Sequence, residues 1–369
     1  MDKRIRIAGI VAALIFAVYM WVDSEDDTQS TIISIPEPVT SFGNEFVEII
    51  ATDLEKPWSI GFGDDKIFLT EKAGRVRVIE SDTLLDDPLI TLRTANVPDG
   101  GLLGLAVHPN FSENHFLYLY YTYEEDGTLW NKILRVSESQ NKIVETRTIL
   151  DKIPGSTFVN GGVLKFGPDE KLYVGTGSIS DSSHGSQDLK SLEGKILRLN
   201  DDGTIPDDNP FSDSPVFSYG HRDPKGMAWD KDGNLFMTEI GPSKNDEINL
   251  IHAGKNYGWP EHECIGSGKF IAALNCYDPG IEPGGIIFYY GDKLDIKKSL
   301  LMATLKGSHL FSLEIDENDL ESQTIILSGV GRIRDVAQGP DGYIYLITSN
   351  TDGKGFPDGN DDKLLRLLK

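Results

Sequence analysis

The sequence predicts an all-β protein, a six-bladed β-propeller carried behind an N-terminal membrane-anchor helix. Three observations predict it. A turn-and-strand signature recurs along the chain, helical periodicity is missing beyond the first thirty or so residues, and one uncharged apolar stretch follows a basic N-terminus.

The N-terminus reads MDKRIR, with Lys3, Arg4 and Arg6, and then Ile7 to Val22 without a charge. This is a membrane-targeting segment. It is slightly short of the ~20 apolar residues of a spanning helix. No small-x-small cleavage pattern precedes Asp23, because Tyr19, Met20 and Trp21 are large. The reading is an uncleaved signal anchor over 1–22, with signal cleavage and secretion as the alternative. Either way the basic end stays inside and the rest is exported. Residues 23–42 (DSEDDTQSTIISIPEPVTSF) are acidic, then rich in Ser, Thr and Pro, as a solvated linker is.

Residues 43–369 carry the repeat. GDDKIF places Asp64 before Phe68, NHFLY places Asn114 before Tyr118, and DEKLY places Asp169 before Tyr173. DGNLF and DGYIY do the same with Asp232 and Phe236, and Asp341 and Tyr345. Asp or Asn opens a tight turn and the aromatic starts a half-buried strand. The first four copies lie roughly 50–60 residues apart, and the last gap is about twice that. A sixth, drifted copy is therefore expected between Tyr290 and Phe311. Units of this length built from short strands are propeller blades; a pair of β-sandwiches is the alternative architecture. A propeller binds ligands where its inter-strand loops converge at one end of the channel.

Composition narrows the function. The chain has 369 residues, 39% of them hydrophobic, and a net charge of −23. That charge argues against nucleic acid, which needs a basic face, and is compatible with cation binding. Cys264 and Cys276 are the two cysteines. In an exported domain they are expected to form a disulfide, and no zinc spacing is present.

Four loop regions stand out: DGGLLGLAVHPNF from Asp99, YGHRDPKGMAWD from Tyr219, TEIGPSKNDEINLIHAGKNYGWPE from Thr238, and LKGSHLF from Leu305 with GVGRIRDVAQGPDG from Gly329. With GKILRLNDDGTIPDDNPF, these stretches resemble, in order from about Phe46 to Leu367, the PQQ-dependent soluble aldose sugar dehydrogenases of the glucose/sorbosone dehydrogenase family. The resemblance implies a six-bladed propeller with pyrroloquinoline quinone (PQQ) and calcium in the channel mouth. PQQ has three carboxylates, so its site needs cations. Arg222, Lys306, Arg332 and Arg334 stand at matching positions, with Asp223 where the family pattern Arg-Asn-Pro-Gln has Asn, and Lys225 where it has Gln. The resemblance places the quinone-bound calcium on the carbonyls of Gly241 and Pro242, and a second calcium on Asp246 and Glu247 with Tyr257 nearby. Hard oxygen donors of this kind suit calcium.

One stretch departs from the family. FVNGGVLKFGPDEKLYVGTGS has Val159 where the pattern His-x-Gly-Gly-Arg-Leu has its general base, Val163 in place of its Arg, and Ser178 in place of the Asp that orients the histidine. Valine cannot accept a proton, and loss of a general base costs ~10²–10⁴-fold. Asp99, if burial raised its pKa, and His184, in a loop with Asp181, are the candidate substitute bases. His108 and His221 read as structural. Three functions remain in play: a membrane-tethered, exported quinoprotein acting on a sugar or related alcohol and passing electrons to an unnamed acceptor; a non-catalytic surface propeller binding a ligand or glycan; and a calcium-dependent propeller hydrolase, which the retained cations weigh against.

Overall fold

In a computed structural model, residues 46–179, 184–294, 296, 299–316 and 319–368 are described. The expected anchor over 1–22, the linker over 23–42 and Asp181 lie outside them. No helix among the described residues is long and apolar enough to cross a membrane.

The described chain folds into six antiparallel sheets of four strands, the first with one extra short strand. Blade one runs Pro57–Gly63, Lys66–Glu71, Arg75–Glu80 and Thr83–Leu84, with Ile90–Thr91 added on Arg75–Glu80. Blade two is Leu102–Val107, Phe116–Glu125, Thr128–Ser139 and Lys142–Pro154; blade three is Gly161–Phe166, Leu172–Thr176, Lys195–Leu199 and Val216–Tyr219. Blade four is Pro224–Trp229, Leu235–Glu239, Asp246–Ile251 and Asn275–Tyr277; blade five is Pro283–Tyr289, Ser299–Thr304, His309–Asp316 and Asp319–Ser328. Blade six, Ile333–Gln338, Ile344–Thr348 and Leu364–Leu367, takes its outer strand from the other end of the domain. Val47–Ala51 pairs antiparallel with Leu364–Leu367, Val47 opposite Leu367. The ring is thus closed by hydrogen bonds between its two ends, which leaves no free edge at the seam.

The first strands of successive blades pack on one another and form the inner ring. Close approach there requires glycine. A Cβ on Gly104 would lie 2.0 Å from the Gly162 carbonyl oxygen, and one on Gly226 would lie 2.5 Å from that of Gly284. Between blades, apolar side chains such as Tyr118, Tyr120, Leu172, Val174 and Leu197 form the core.

The repeat has a physical basis. It spans the turn between the first and second strands. Asp169 Oδ1 accepts the Lys171 amide at 3.2 Å, while Oδ2 accepts from the Tyr173 hydroxyl at 3.0 Å and from Arg198 Nε at 2.9 Å. Asp341 repeats this with the Tyr343 amide, the Tyr345 hydroxyl at 2.9 Å and Arg366 at 3.7 Å. In blades one and four, Phe68 and Phe236 keep only the apolar part of the device, both fully buried. The drifted copy lies in blade five, where buried Leu300, the second residue of Ser299–Thr304, takes the aromatic's place without an aspartate–aromatic pair.

Candidate active site

Strand polarity puts chemistry at one end. The repeat turns join first to second strands at one end of the blades. Residues just before each first strand, and just after each second strand, must therefore gather at the other. There they line a cavity of about 390 Å³. From before first strands come Asp99, Val159, Arg222, Asp223 and Glu282; from after second strands come Lys72, Gly241, Pro242, Lys306 and Asp352. Arg334 and Lys225 reach it from within inner strands.

The cations differ in their commitments. Arg334 lies over the Trp58 ring, 5.9 Å from its centroid, and its Nε is shielded from solvent without a hydrogen-bond partner. Burial pulls its pKa below the arginine norm, against the attraction of Asp99. An orphaned guanidinium nitrogen at a cavity wall is a place for an anion. Lys306 is exposed in the same cavity and has no ion pair or side-chain hydrogen bond among the described residues. Arg222 is buried, stacks near Trp259 at 5.3 Å, and donates from Nη1 to the carbonyls of Ile240 at 3.1 Å and Gly241 at 2.9 Å. Arg332 is placed differently from its expected cofactor role. It stands behind the wall, held by Glu282 at 2.9 Å and Asp352 at 3.0 Å, so it fixes two cavity carboxylates instead of lining the cavity.

The structure also divides the expected calcium residues. Asp246 and Glu247 are neighbours in a strand, so their side chains point to opposite faces. Asp246 lines the cavity and braces the turn there, its carboxylate accepting the amides of Gly241 at 2.8 Å and Glu282 at 2.7 Å. Glu247 lines a separate crevice with Tyr257, Glu239 and Glu263. Burial and the nearby Glu239 push its carboxyl up to about 8, and burial pushes that of Glu239 up to about 7. The Tyr257 hydroxyl is bonded to Leu250 and His252, so only its main-chain carbonyl is left as a cation ligand there. Cys264 and Cys276 form a disulfide beside Glu247, whose Oε1 accepts the Cys264 amide at 2.6 Å. Their sulfurs are therefore not thiolate ligands.

On the opposite wall Gly161, two residues after Val159, pairs with Thr176, two residues before Ser178. Val159 lines the cavity with a φ of +65°, a left-handed conformation that β-branched residues avoid. Ser178 is buried and its amide donates to the Arg222 carbonyl at 2.7 Å. Asp99 Oδ2 accepts the amides of Val159 at 3.0 Å and Asn160 at 3.4 Å. Burial would raise its pKa, but Lys225, Lys72 and Arg334 outweigh burial and hold it below the usual carboxylate range. His184 is exposed beside a short 3₁₀ turn and is not among the cavity-lining residues. His221 bridges Ser218 and Glu239, with burial and Lys195 depressing it to about 3. His108 packs against Phe116, Tyr118 and Phe166 and accepts the Asn110 amide at 3.0 Å. Both are structural histidines.

Lys72, Glu282 and Asp352 were not legible as site residues. Their position relative to the repeat was the available signal, since each sits where a blade feeds the cavity end.

The channel-mouth cavity of this propeller thus combines a tethered guanidinium, one with an orphaned Nε and an ammonium with no ion pair among the described residues, ringed by carboxylates. The chain belongs to the glucose/sorbosone dehydrogenase family, whose model matches residues 54–366. It is 31% identical over 343 residues to aldose sugar dehydrogenase YliI of Escherichia coli, covering 84% of this chain and 91% of that one. It is 34% identical over 414 residues to quinoprotein glucose dehydrogenase B of Acinetobacter calcoaceticus, covering 83% and 85%. The PQQ-bound aldose sugar dehydrogenase of Streptomyces coelicolor superposes with a TM-score of 0.78 at 35% identity, covering 87% of this chain and 97% of that one.

Proposed function

We propose that this protein is a quinoprotein dehydrogenase that binds PQQ in the channel mouth and oxidises a sugar or related alcohol. The observation that carries this is the pairing, in one cavity, of Arg334 with its orphaned Nε and Lys306 with no counterion among the described residues. These residues fit a polycarboxylate: Arg334, Lys306 and Arg222 would hold the cofactor. Bound there, the quinone supplies a two-electron acceptor for hydride.

The chain's own residues do the rest. Lys225, between Asp99 and Asp223, offsets one of the two carboxylate charges there. Asp246 braces the Gly241–Pro242 turn, whose Pro242 carbonyl, with the Gly241 carbonyl that Arg222 already engages, would hold a calcium ion supplying Lewis-acid chemistry. Glu247 and the Tyr257 carbonyl would hold a second calcium: two buried carboxyls raised together, Glu247 and Glu239, favour either protons or a cation. The N-terminal segment suits a membrane tether that places the propeller on the extracytoplasmic side.

Absorbance titration of the purified chain with PQQ and calcium tests the reading. Saturable binding followed by bleaching of the bound quinone with an aldose supports it; no saturable binding ends it. The vacancies at Val159 and Ser178 favour a second reading, a propeller that binds a ligand without turning it over. Bound quinone that no sugar reduces would select it.

A further inference from the structure

We propose that Asp223, oriented by Lys225, is the proton acceptor in sugar oxidation, in the place the family gives to an imidazole. The inference rests on the quinoprotein reading above. Asp223 is buried just ahead of Pro224–Trp229 and lines the cavity. Its Oδ1 is fixed by two donors, the Gly161 amide at 3.0 Å and Lys225 Nζ at 2.9 Å. Among the described residues no donor bonds Oδ2, which leaves that oxygen for a substrate hydroxyl. Gly161 lies two residues beyond Val159, so the carboxylate stands beside the position that lacks its base.

The competing groups are worse placed. Asp99 has Oδ2 engaged by two amides and lies 3.4 Å from Lys225. The three cations around it weaken it as a proton acceptor. His184 is outside the cavity lining. Lys225 is buried between the two aspartates and serves as a positioning residue, as a fixed counter-charge does.

The groups facing Asp223 are Lys225 and Arg222 from its own segment, Asp99 from the loop entering blade two, Tyr120 from that blade and Glu239 from the adjacent strand. Burial drives the Asp223 carboxyl up to about 6, with Lys225 opposing and Asp99 adding to the rise. It is therefore ionised at neutral pH and a stronger base than an ordinary carboxylate. Protonation below that value removes the acceptor, so turnover falls as pH drops through about 6.

The step balances. The anomeric C–H bond breaks with its electron pair, which leaves as hydride to the ortho-quinone. The O–H bond breaks, its electron pair closes the C=O of a lactone, and its proton goes to Asp223 Oδ2. The sugar is oxidised, the quinone is reduced, and the proton later returns to solvent.

The test compares wild type with Asp223→Asn, Asp223→Glu and the pair Asp223→Asn with Lys225→Gln. Quinone binding is followed by absorbance, reduction of bound quinone by sugar in single turnover across pH, and the carboxyl itself by infrared or carbon-13 titration of the cofactor-free protein. Asp223→Asn is expected to bind quinone within about 3-fold of wild type and to slow reduction by ~10²-fold or more. The carboxyl titrating near 6 should vanish with it. Asp223→Glu should recover part of the rate, and the pair should be no faster than Asp223→Asn. Normal reduction by Asp223→Asn with quinone bound overturns the inference alone. Wild type that binds no quinone overturns the functional reading first. If Asp223→Asn does not fold, a wild type with no carboxyl titrating near 6 overturns the proposal.

Discussion

Two walls of one cavity differ. The wall from blades four to six carries the residues that the family pattern implies for a cofactor: Arg222, Gly241, Pro242, Lys306 and Arg334. The wall from blade three presents Val159, with buried Val163 and Ser178 behind it, where the same pattern has a base, a cation and an orienting carboxylate. The border between them holds Asp99, Lys225 and Asp223, an ion triplet joining the loop that enters blade two to the start of blade four. The difference teaches that anion binding and proton chemistry are separable in a propeller. Each blade delivers its own loops to the cavity, so one wall can be rebuilt while the other keeps its geometry.

The strongest way to break this comparison is to transplant the missing wall. In the Asp223→Asn, Lys225→Gln background, adding Val159→His with Ser178→Asp should raise sugar-dependent quinone reduction by ~10²-fold or more. Either change alone should give much less than its share of that gain. An imidazole without its carboxylate lacks a fixed tautomer, and the imidazolium it becomes is unsupported. Base and orienter should therefore be strongly coupled. Singles whose gains simply multiply in the double would show that the wall does not act as a unit.

Calcium sharpens the comparison from the cofactor side. At ~100 times its dissociation constant, calcium should stabilise the cofactor-free chain by about 2.7 kcal/mol per site in thermal denaturation. Glu247→Gln should remove the share of the separate crevice while leaving quinone affinity in place. Loss of quinone binding in this variant would mean that crevice and cavity are one cooperative site.

Arg334→Ala should weaken quinone binding by roughly 1.5–3 kcal/mol, the worth of a charged hydrogen bond, measured by absorbance titration. Arg332→Ala acts differently. It frees Glu282 and Asp352 at the cavity wall, so its effect should be screened by salt more than that of Arg334→Ala. Equal salt dependence would place both guanidinium groups on the ligand.

The fold was legible because its signature is local. Asp169 with Tyr173, and Asp341 with Tyr345, lie on one turn, and the turn bonds them directly. The blade-five copy was harder to see because Leu300 fills the aromatic position without a hydroxyl to bond. Site membership was legible where long loops carried specific motifs, as at Arg222 and Gly241. Partnership was not. Nothing in the spelling shows that Arg332 is spent on Glu282 and Asp352 while Arg334 is left with an orphaned nitrogen, because those carboxylates come from other loops. Adjacent Asp246 and Glu247 read as one ligand pair, yet strand alternation sends them to different spaces. Asp99 was a candidate base on the condition that burial raised its pKa, and three cations that converge only in three dimensions reverse that sign.

The smallest expected effect concerns the backbone of the rebuilt wall. Val159 keeps a φ of +65° although a β-branched side chain is poorly suited to it. Such a conformation costs of order 1–3 kcal/mol and persists where the surroundings over-determine it. Here they do. Asp99 Oδ2 holds the Val159 amide, and the Asn160 side chain is bonded to the carbonyls of Asp99 and Ser156 at 2.9 and 2.8 Å. Asn131 Nδ2 closes the network on Asn160 Oδ1 at 3.1 Å. The loop therefore dictates the dihedral and the side chain tolerates it. Asparagine accepts the left-handed region far better, and Val159 is only half-buried, so little apolar contact is lost. Val159→Asn should stabilise the domain by about 0.5–1 kcal/mol, read as a shifted denaturation midpoint at unchanged slope. Asp99→Asn should erase most of that gain by loosening the hold on the amide. A destabilised Val159→Asn would mean that valine contributes packing the wall needs. The vacancy at this position would then be a filled pocket, and transplanting histidine there would fail for steric reasons before any question of proton transfer arose.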